Sequence, residues 1–236
     1  MSFAQIATIG VLAVTMVGCA TAPQKTAFNR ELATTIHSIA IVQEPNQSSY
    51  PARILVHAGQ NFGLIGALAA EADMASKSRT LTQVVAPYKL NIQQRLVADL
   101  TSKLTAEGYV IESISLPEGT AAKKALDVAT TLTKSDGVLV LTSASGYVSA
   151  NHTAAYQPQV RVAANLYERA TKKQLYNEAV NYGFATANDD AIMITADEKY
   201  SFKDMAAIKA TPEAVAQGLI EGVAPVAERI ASDLKK

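Results

Sequence analysis

The chain contains one cysteine, Cys19, which directly follows an uncharged and mostly apolar run at residues 6–18. That run is too short to span a bilayer as a helix, because a crossing needs about 20 residues. It is typical of the hydrophobic part of a secretory signal. A lone thiol cannot form an internal disulfide, and a free thiol is an unusual choice in the oxidising compartment to which such a signal leads. We therefore expect a covalent modification to consume the Cys19 thiol.

Residues 16–19, Met-Val-Gly-Cys, have the order of a bacterial lipobox, in which two apolar residues and a small residue precede the cysteine. The thiol of such a motif receives a diacylglycerol, a peptidase cuts before the cysteine, and a fatty acid such as palmitate acylates the new amino group. Several acyl chains on one residue anchor a protein stably. Ala20 stands where an Asp would favour the inner membrane, which indicates the outer membrane. Residues 1–5 lack the Lys or Arg with which signals usually begin, and a buried helix with an incidental cysteine is the alternative.

Composition limits the classes of function. Lysine and arginine together number 21, as do aspartate and glutamate, so the formal net charge is +0. A neutral chain creates no long-range field for a polyanion, which argues against nucleic-acid binding. Apolar residues make up 49% of the 236 residues, which is typical of a globular chain and too apolar for a disordered one. This length supports one sizeable core, or two small domains at most.

The residue types that carry most enzymatic chemistry form no recognisable constellation. The three histidines are His37, His57 and His152. None is spaced for metal ligation from another His, a Cys or clustered carboxylates. Ser145 lacks the preceding glycine of a nucleophile elbow, and the neighbours Asp189 and Asp190 are more typical of solvated loop carboxylates than of a cation site. The sequence therefore predicts no catalytic residue, metal, cofactor or small-molecule substrate.

The segment at residues 59–75 is apolar and rich in small residues, and it lies between a predicted strand and a predicted helix. One interpretation is a buried helix of the core. The other is an exposed apolar segment that contacts a membrane or another subunit. The residues of this contact segment would be Phe62, Leu64, Ile65 and Leu68. If the second interpretation holds, Leu64→Asp should abolish association and leave the domain folded.

Hydrophobic periodicity predicts strands interleaved with helices. Strands are predicted at residues 37–42, 53–57, 109–116 and 137–142, and a hairpin at 159–167 and 174–184 around a turn at 168–173. Helices are predicted at 91–107 (N-cap Asn91, stop Gly108), at 119–134, and at 211–234 (N-cap Thr211, with a break near 221–224 caused by Pro225). Residues 188–205 should be irregular. This order predicts an α+β fold, with a single mixed β-sheet and helices packed mainly on one face.

Three regions follow from these predictions. We expect a lipoprotein signal peptide at residues 1–18 and a lipidated N-terminus and tether at 19–33. A single α+β domain should occupy residues 34–236. No internal repeat and no second domain boundary is visible.

Four segments of the chain together resemble a broad group of bacterial envelope lipoproteins. They are the strand at residues 39–42, the helix end Glu107-Gly108-Tyr109-Val110, the apolar strand at 137–141 and the hairpin at 162–180. That group includes the curli-secretion-pore lipoprotein and neisserial-type lipoproteins. Its shared domain is similar to the amino-terminal domain of the Tol translocation periplasmic protein. The resemblance implies that fold and an envelope location, and it implies no catalytic residues. Members of the group act as assembly factors, accessory subunits or pore components.

Two functions follow as hypotheses. The first is a lipid-anchored, non-catalytic protein of the outer membrane whose domain faces the periplasm. It would act as an accessory or assembly factor through contacts with envelope proteins or with its own copies. The alternative is a subunit of an outer-membrane secretion pore, for which residues 151–167 and 174–185 are the candidate spanning strands. An envelope hydrolase has no support in the sequence.

Overall fold

The structure is a computed structural model, and it describes residues 25–58, 63–121, 124–186 and 190–236. Cys19, the signal segment, Phe62 and Asp189 lie outside the described residues. The signal peptide and the lipid anchor therefore stay predictions from the sequence.

The elements alternate as the periodicity indicated. The helices are α1 (Arg30–Ala33), α2 (Gly63–Val85), α3 (Ile92–Ala106), α4 (Ala125–Leu132), α5 (Met205–Ala210), α6 (Pro212–Glu221) and α7 (Val223–Asp233). The strands are β1 (Ser38–Gln43), β2 (Ala52–Val56), β3 (Val110–Ser115), β4 (Gly137–Asn151), β5 (Gln157–Glu168), β6 (Gln174–Gly183) and β7 (Ile192–Ile194). Single turns of 3-10 helix follow α2 at Ala86–Tyr88 and precede α5 at Glu198–Tyr200.

The strands form one mixed sheet in the order β3-β1-β4-β5-β6-β7. The central strand β1 runs parallel to both β3 and β4, whereas β4, β5 and β6 are joined as antiparallel neighbours. β2 pairs with the far end of β4, where Ala52 lies opposite Tyr147. Because β5 occupies the other edge of β4, β1 and β2 share one edge of β4 with a gap between them.

Side chains of the loop at residues 44–51 fill this gap between β1 and β2. The backbone N–H of Ser143 donates to Glu44 Oε2 at 2.9 Å. The backbone N–H of Ser145 donates to Gln47 Oε1 at 3.0 Å, and Gln47 Nε2 donates to the Ser145 carbonyl at 2.8 Å. Buried backbone groups need partners, and here two side chains supply what a neighbouring strand would normally supply.

The main core lies between one face of the sheet and five of the helices. α3 shows how the sequence builds it, because its apolar residues recur every four positions and are fully buried against the sheet and α7; they are Ile92, Leu96, Leu100 and Leu104. Each such side chain contributes about 1.5–3 kcal/mol on burial. α3 ends at Ala106, and Gly108, just after the C-cap Glu107, has a left-handed φ of 84°, while Tyr109 N donates to the Leu104 carbonyl. This closing pattern is the glycine stop that the sequence predicts.

The opposite face of the sheet carries a smaller core, to which α4 contributes Ala129; its other buried members are Ala40, Val42, Ile114 and Val138. β4 is therefore covered on both faces at its start, which explains the unbroken apolar run of that part of the strand. Among the described residues, α4 is the one helix that contributes to this smaller cluster, whereas the main core takes in residues of α2, α3, α5, α6 and α7. The prediction of an α+β fold with one mixed sheet and helices mainly on one face is confirmed.

Two predicted helix caps and one predicted irregular segment were wrong, whereas one predicted helix break was right. Asn91 precedes α3, but its φ of 47° is left-handed and its side chain makes no capping hydrogen bond. Thr211 precedes α6, yet its hydroxyl donates to the Ala207 carbonyl at the end of α5 instead of capping α6. The predicted break near 221–224 is present between α6 and α7. Residues 188–205, expected to be irregular, include β7.

Candidate functional site

The first turns of α2 carry an exposed apolar face. Ile65 is 82% exposed and Leu68 is 58% exposed. Ala69 and Ala72 are also exposed, and the spacing i, i+3, i+4 and i+7 places all four side chains on one face of the helix. Glu71 is the only charged residue between positions 63 and 72. The interpretation of this segment as a buried helix is therefore wrong for Ile65 and Leu68. The contact role of these residues stays a prediction.

The end of β2 adds to the same end of the molecule. Ala52 N donates to Ser78 Oγ at 3.0 Å, and His57 Nε2 lies 3.0 Å from Asp73 Oδ2. β2 and α2 therefore run antiparallel, and the first turns of α2 lie beyond the carboxyl end of the strand. The exposed side chains at that end of β2 are Leu55 and Val56. We call Leu55, Val56, Ile65 and Leu68 the apolar end.

A cluster of polar side chains joins α2 to β2 close to the apolar end. Asp73 pairs with both His57 and Lys77. Burial raises the pKa of Asp73, but the hydrogen bonds from Lys77 and His57 outweigh it and hold that pKa below its usual range. The ring of His152 contacts His57 edge-on, with the ring centroids 4.3 Å apart. This cluster connects α2 to the ends of β2 and β4, which gives His57 a structural role.

The sequence could not place His152 beside His57, because they are 95 positions apart and the parallel pairing of β2 with β4 brings them together. Among the described residues, no three or more His, Cys, Asp or Glu side chains are arranged to hold a metal ion. Ser145 Oγ lies 3.0 Å from Gln47 Oε1, to which it donates. Asp190 is exposed, whereas nothing is described for its neighbour Asp189.

The tip of the hairpin between β5 and β6 is exposed at residues 170–173 and is also bonded to the domain. Arg169 Nε donates to the Ser135 carbonyl at 2.9 Å. Lys172 pairs with Asp127 of α4. These contacts connect the tip to the start of β4 and to the smaller core.

The two candidate spanning strands of the pore hypothesis belong to the folded domain. Alternate residues of β5 are buried in the main core, and they are Val160, Val162, Ala164 and Leu166. β6 contributes Tyr176 and Val180 to the same core. In the part of the chain that the structure describes, no helix has the length and apolar character needed to cross a membrane.

The amino-terminal segment meets the domain at β6. Thr26 and Asn177 form an antiparallel bridge with hydrogen bonds of 3.0 and 2.9 Å. Lys25 pairs with Glu178 at 3.1 Å. Among the described residues of the predicted tether, Lys25 and Thr26 therefore contact the domain, and Lys25 follows Cys19 by six residues.

Comparisons with known proteins give no family. No protein-family model matches the chain, and no curated protein matches its sequence. Among solved structures, the PelC dodecamer from Paraburkholderia phytofirmans is 13% identical with a TM-score of 0.32, over 90% of this chain and 95% of that chain. The hypothetical protein CT253 from Chlamydia trachomatis is 8% identical with a TM-score of 0.30, over 84% of this chain and 97% of that one.

A third solved structure, the LpoB C-terminal domain from Salmonella enterica, is 13% identical with a TM-score of 0.19, over 66% of this chain and 94% of that chain. Likenesses of this size imply no function, because one fold hosts many functions and function resides in sites.

Proposed function

We propose that this chain is a lipid-anchored, non-catalytic protein of the outer membrane that acts as an accessory or assembly factor. It binds another envelope protein or a second copy of itself through the apolar end. The observation that carries the proposal is the exposed, almost uncharged face of α2. Exposed apolar patches with polar surroundings mark contact sites on soluble domains.

The anchor limits where this surface can act. Six peptide units separate Cys19 from Lys25, and an extended chain spans about 3.3–3.6 Å per residue, so Lys25 lies within about 20 Å of the lipidated residue. Because Lys25 and Thr26 are bound to β6, the whole domain is held close to the membrane. A partner of the apolar end is therefore expected at or near the membrane surface.

The anchor is tested by intact mass spectrometry of the protein isolated from membranes, beside a Cys19→Ala variant. We expect the wild-type mass to begin at Cys19 and to include acyl chains, and we expect the variant to keep its leader and to lack the acyl chains. An unmodified full-length wild-type chain in the soluble fraction would refute the anchor.

The contact surface is tested with the double substitution Ile65→Asp and Leu68→Asp. Both side chains are exposed, so the free energy of unfolding should change by less than about 0.5 kcal/mol. Two buried charges in an apolar interface should nevertheless abolish association. Cross-linking in membranes followed by sizing in detergent measures that association.

The matched control is Leu132→Asp, because Leu132 lies on α4 at the other face of the sheet and is 47% exposed. This variant should associate like the wild type. Wild-type association in the double variant would exclude the apolar end as the contact surface. A wild-type protein that is monomeric and free of partners would exclude the accessory role itself.

A further inference from the structure

A cavity of about 580 Å³ opens at the carboxyl ends of the parallel strands β1 and β3. From β1 the chain reaches β3 through α2 and α3 on the main-core face, whereas from β3 it reaches β4 through α4 on the opposite face. Connections that diverge in this way leave a crevice between the two strand ends, which is where open α/β sheets bind ligands. The volume lies in the range of about 300–1,000 Å³ that small-molecule sites occupy.

Glu44 is a partly buried carboxylate in the lining of this cavity. Both hydrogen bonds that it accepts, from Ser143 N and from Ser143 Oγ, go to Oε2. Oε1 accepts none from the described residues, and no described Lys or Arg pairs with Glu44. Burial raises the pKa of Glu44 although the Ser143 hydrogen bonds oppose this effect.

Gln93 lines the cavity from the first turn of α3 and is only 5% exposed. Its Oε1 accepts a hydrogen bond from Gln47 N at 3.0 Å, whereas its Nε2 has no partner among the described residues. Asn91 gives α3 no side-chain cap. The described buried side-chain atoms that lack a partner are Tyr156 Oη and Asn181 Oδ1, so Gln93 Nε2 is open to the cavity and can donate to water or to a ligand. The cavity therefore presents donors at the start of α3 and an acceptor at Glu44.

The charge of the lining selects the kind of ligand. Among the described residues that line the cavity, the carboxylates are Glu44 and Glu118, and there is no Lys or Arg. A phosphate or carboxylate ligand would meet two like charges and no counter-charge. A divalent metal ion would need several oxygen ligands in a fixed arrangement, and no described group of acidic residues provides one.

We propose that this cavity binds the primary ammonium group of an organic ligand. Glu44 is the counter-ion of the ammonium, and the Gln93 amide donates to an oxygen of the ligand beside it. An ammonium offers three donors in a compact group, and it supplies the counter-charge that the partly buried Glu44 carboxylate lacks among the described residues. This inference goes beyond the proposed function and requires neither the lipid anchor nor the apolar end.

Isothermal titration calorimetry of the full-length chain in detergent tests this proposal with ethanolamine and with an end-blocked Gly-Lys-Gly peptide. The neutral counterparts are ethylene glycol and the same peptide with an acetylated lysine. We expect saturable binding of the amines at concentrations up to about 10 mM, and none of the neutral counterparts. Tighter binding of the peptide indicates a protein as the source of the amine, and tighter binding of ethanolamine indicates a free small molecule.

Glu44→Gln keeps an oxygen that can accept from Ser143 but removes the charge and the second acceptor oxygen, so it should weaken amine binding at least tenfold. Glu118→Gln, at an exposed position, should weaken binding by a factor of about two to three, as an exposed charge does. Glu31→Gln is the control, because Glu31 is exposed on α1 outside the cavity lining, and it should bind like the wild type. Unchanged affinity in Glu44→Gln, or the absence of saturable amine binding to the wild type, would overturn the proposal.

Discussion

Replacement of Asp136 by alanine should loosen the start of two central strands at once. Asp136 Oδ2 accepts hydrogen bonds from the backbone N–H groups of His37 and Ser38, at 2.9 and 3.0 Å, and from Ser38 Oγ at 3.0 Å. In return, Asp136 N donates to Ser38 Oγ at 2.9 Å. The beginnings of β1 and β4 are thus held together by one carboxylate and one hydroxyl.

The magnitude follows from these contacts. A hydrogen bond to a charged group contributes about 1.5–3 kcal/mol when it is buried. The Asp136 contacts are only partly buried, and solvent screens them, so we take less than half of that value for each. Three such bonds give a loss of about 2 kcal/mol, and for a domain of this size each kcal/mol lowers Tm by about 2–4 °C. We therefore expect Asp136→Ala to lower Tm by roughly 4–8 °C.

Urea unfolding as a function of pH tests the reasoning. Burial alone raises the pKa of Asp136, but the hydrogen bonds from His37 and Ser38 outweigh it and hold the pKa below its usual range. A lowered pKa means that the contribution to stability is complete above the unfolded-state pKa of about 3.9 and is lost as the pH falls through the folded-state pKa. The difference between wild type and Asp136→Ala should therefore shrink on acidification.

Asp190→Ala, in an exposed loop, is the control and should change nothing at any pH. A loss below about 0.5 kcal/mol for Asp136→Ala at neutral pH would be no larger than that of an ordinary surface substitution. Such a result would show that the Asp136 side chain does not hold the starts of β1 and β4 together.

Three further substitutions test the fold and the cavity. Gly183→Ala should cost more than about 2 kcal/mol in chemical unfolding, because φ is 91° and a Cβ there would lie 1.8 Å from the Pro158 carbonyl oxygen. Tyr147→Phe should cost about 1 kcal/mol, because the buried hydroxyl donates to the Val215 carbonyl at 3.1 Å. Glu44→Gln should raise the stability of the ligand-free protein at neutral pH, since a raised carboxyl pKa means that stability is lost as the pH rises through it. Below the usual Glu pKa of about 4.3 the two proteins should unfold at the same urea concentration.

The elements that sequence reasoning found are those in which one face is buried. β5 alternates buried and half-buried residues, and α3 repeats its leucines every fourth position, so periodicity alone located both. The glycine that ends α3, Gly108, was also predicted correctly, because the left-handed backbone that closes a helix is a local requirement that glycine meets. The sequence rules for helix N-caps were less successful. The residue type of Asn91 does not reveal that its backbone is left-handed.

Elements that depend on distant partners were missed or shortened. β4 continues to Asn151 although Ser143, Ser145 and Ser149 give no apolar signal, because side chains and carbonyls elsewhere satisfy their polar groups. α2 continues to Val85, and its Ser78 bonds to the backbone of β2. The cavity at the ends of β1 and β3 forms because the connections that follow these two strands pass over opposite faces of the sheet. No local sequence pattern shows which face a connection takes.

The gap in the edge of β4 has a consequence for how this protein can change over evolution. Where two strands pair directly, inserting one residue shifts the register and turns every following side chain to the other face. Along Ser143 and Ser145 the partner is not a strand, because the side chains of Glu44 and Gln47 reach across from a loop. Residues can therefore be added to or removed from that loop without displacing β1 or β2, provided that these two side chains keep their reach. The loop that forms this wall of the cavity can thus vary in length between related chains while the strands keep their register.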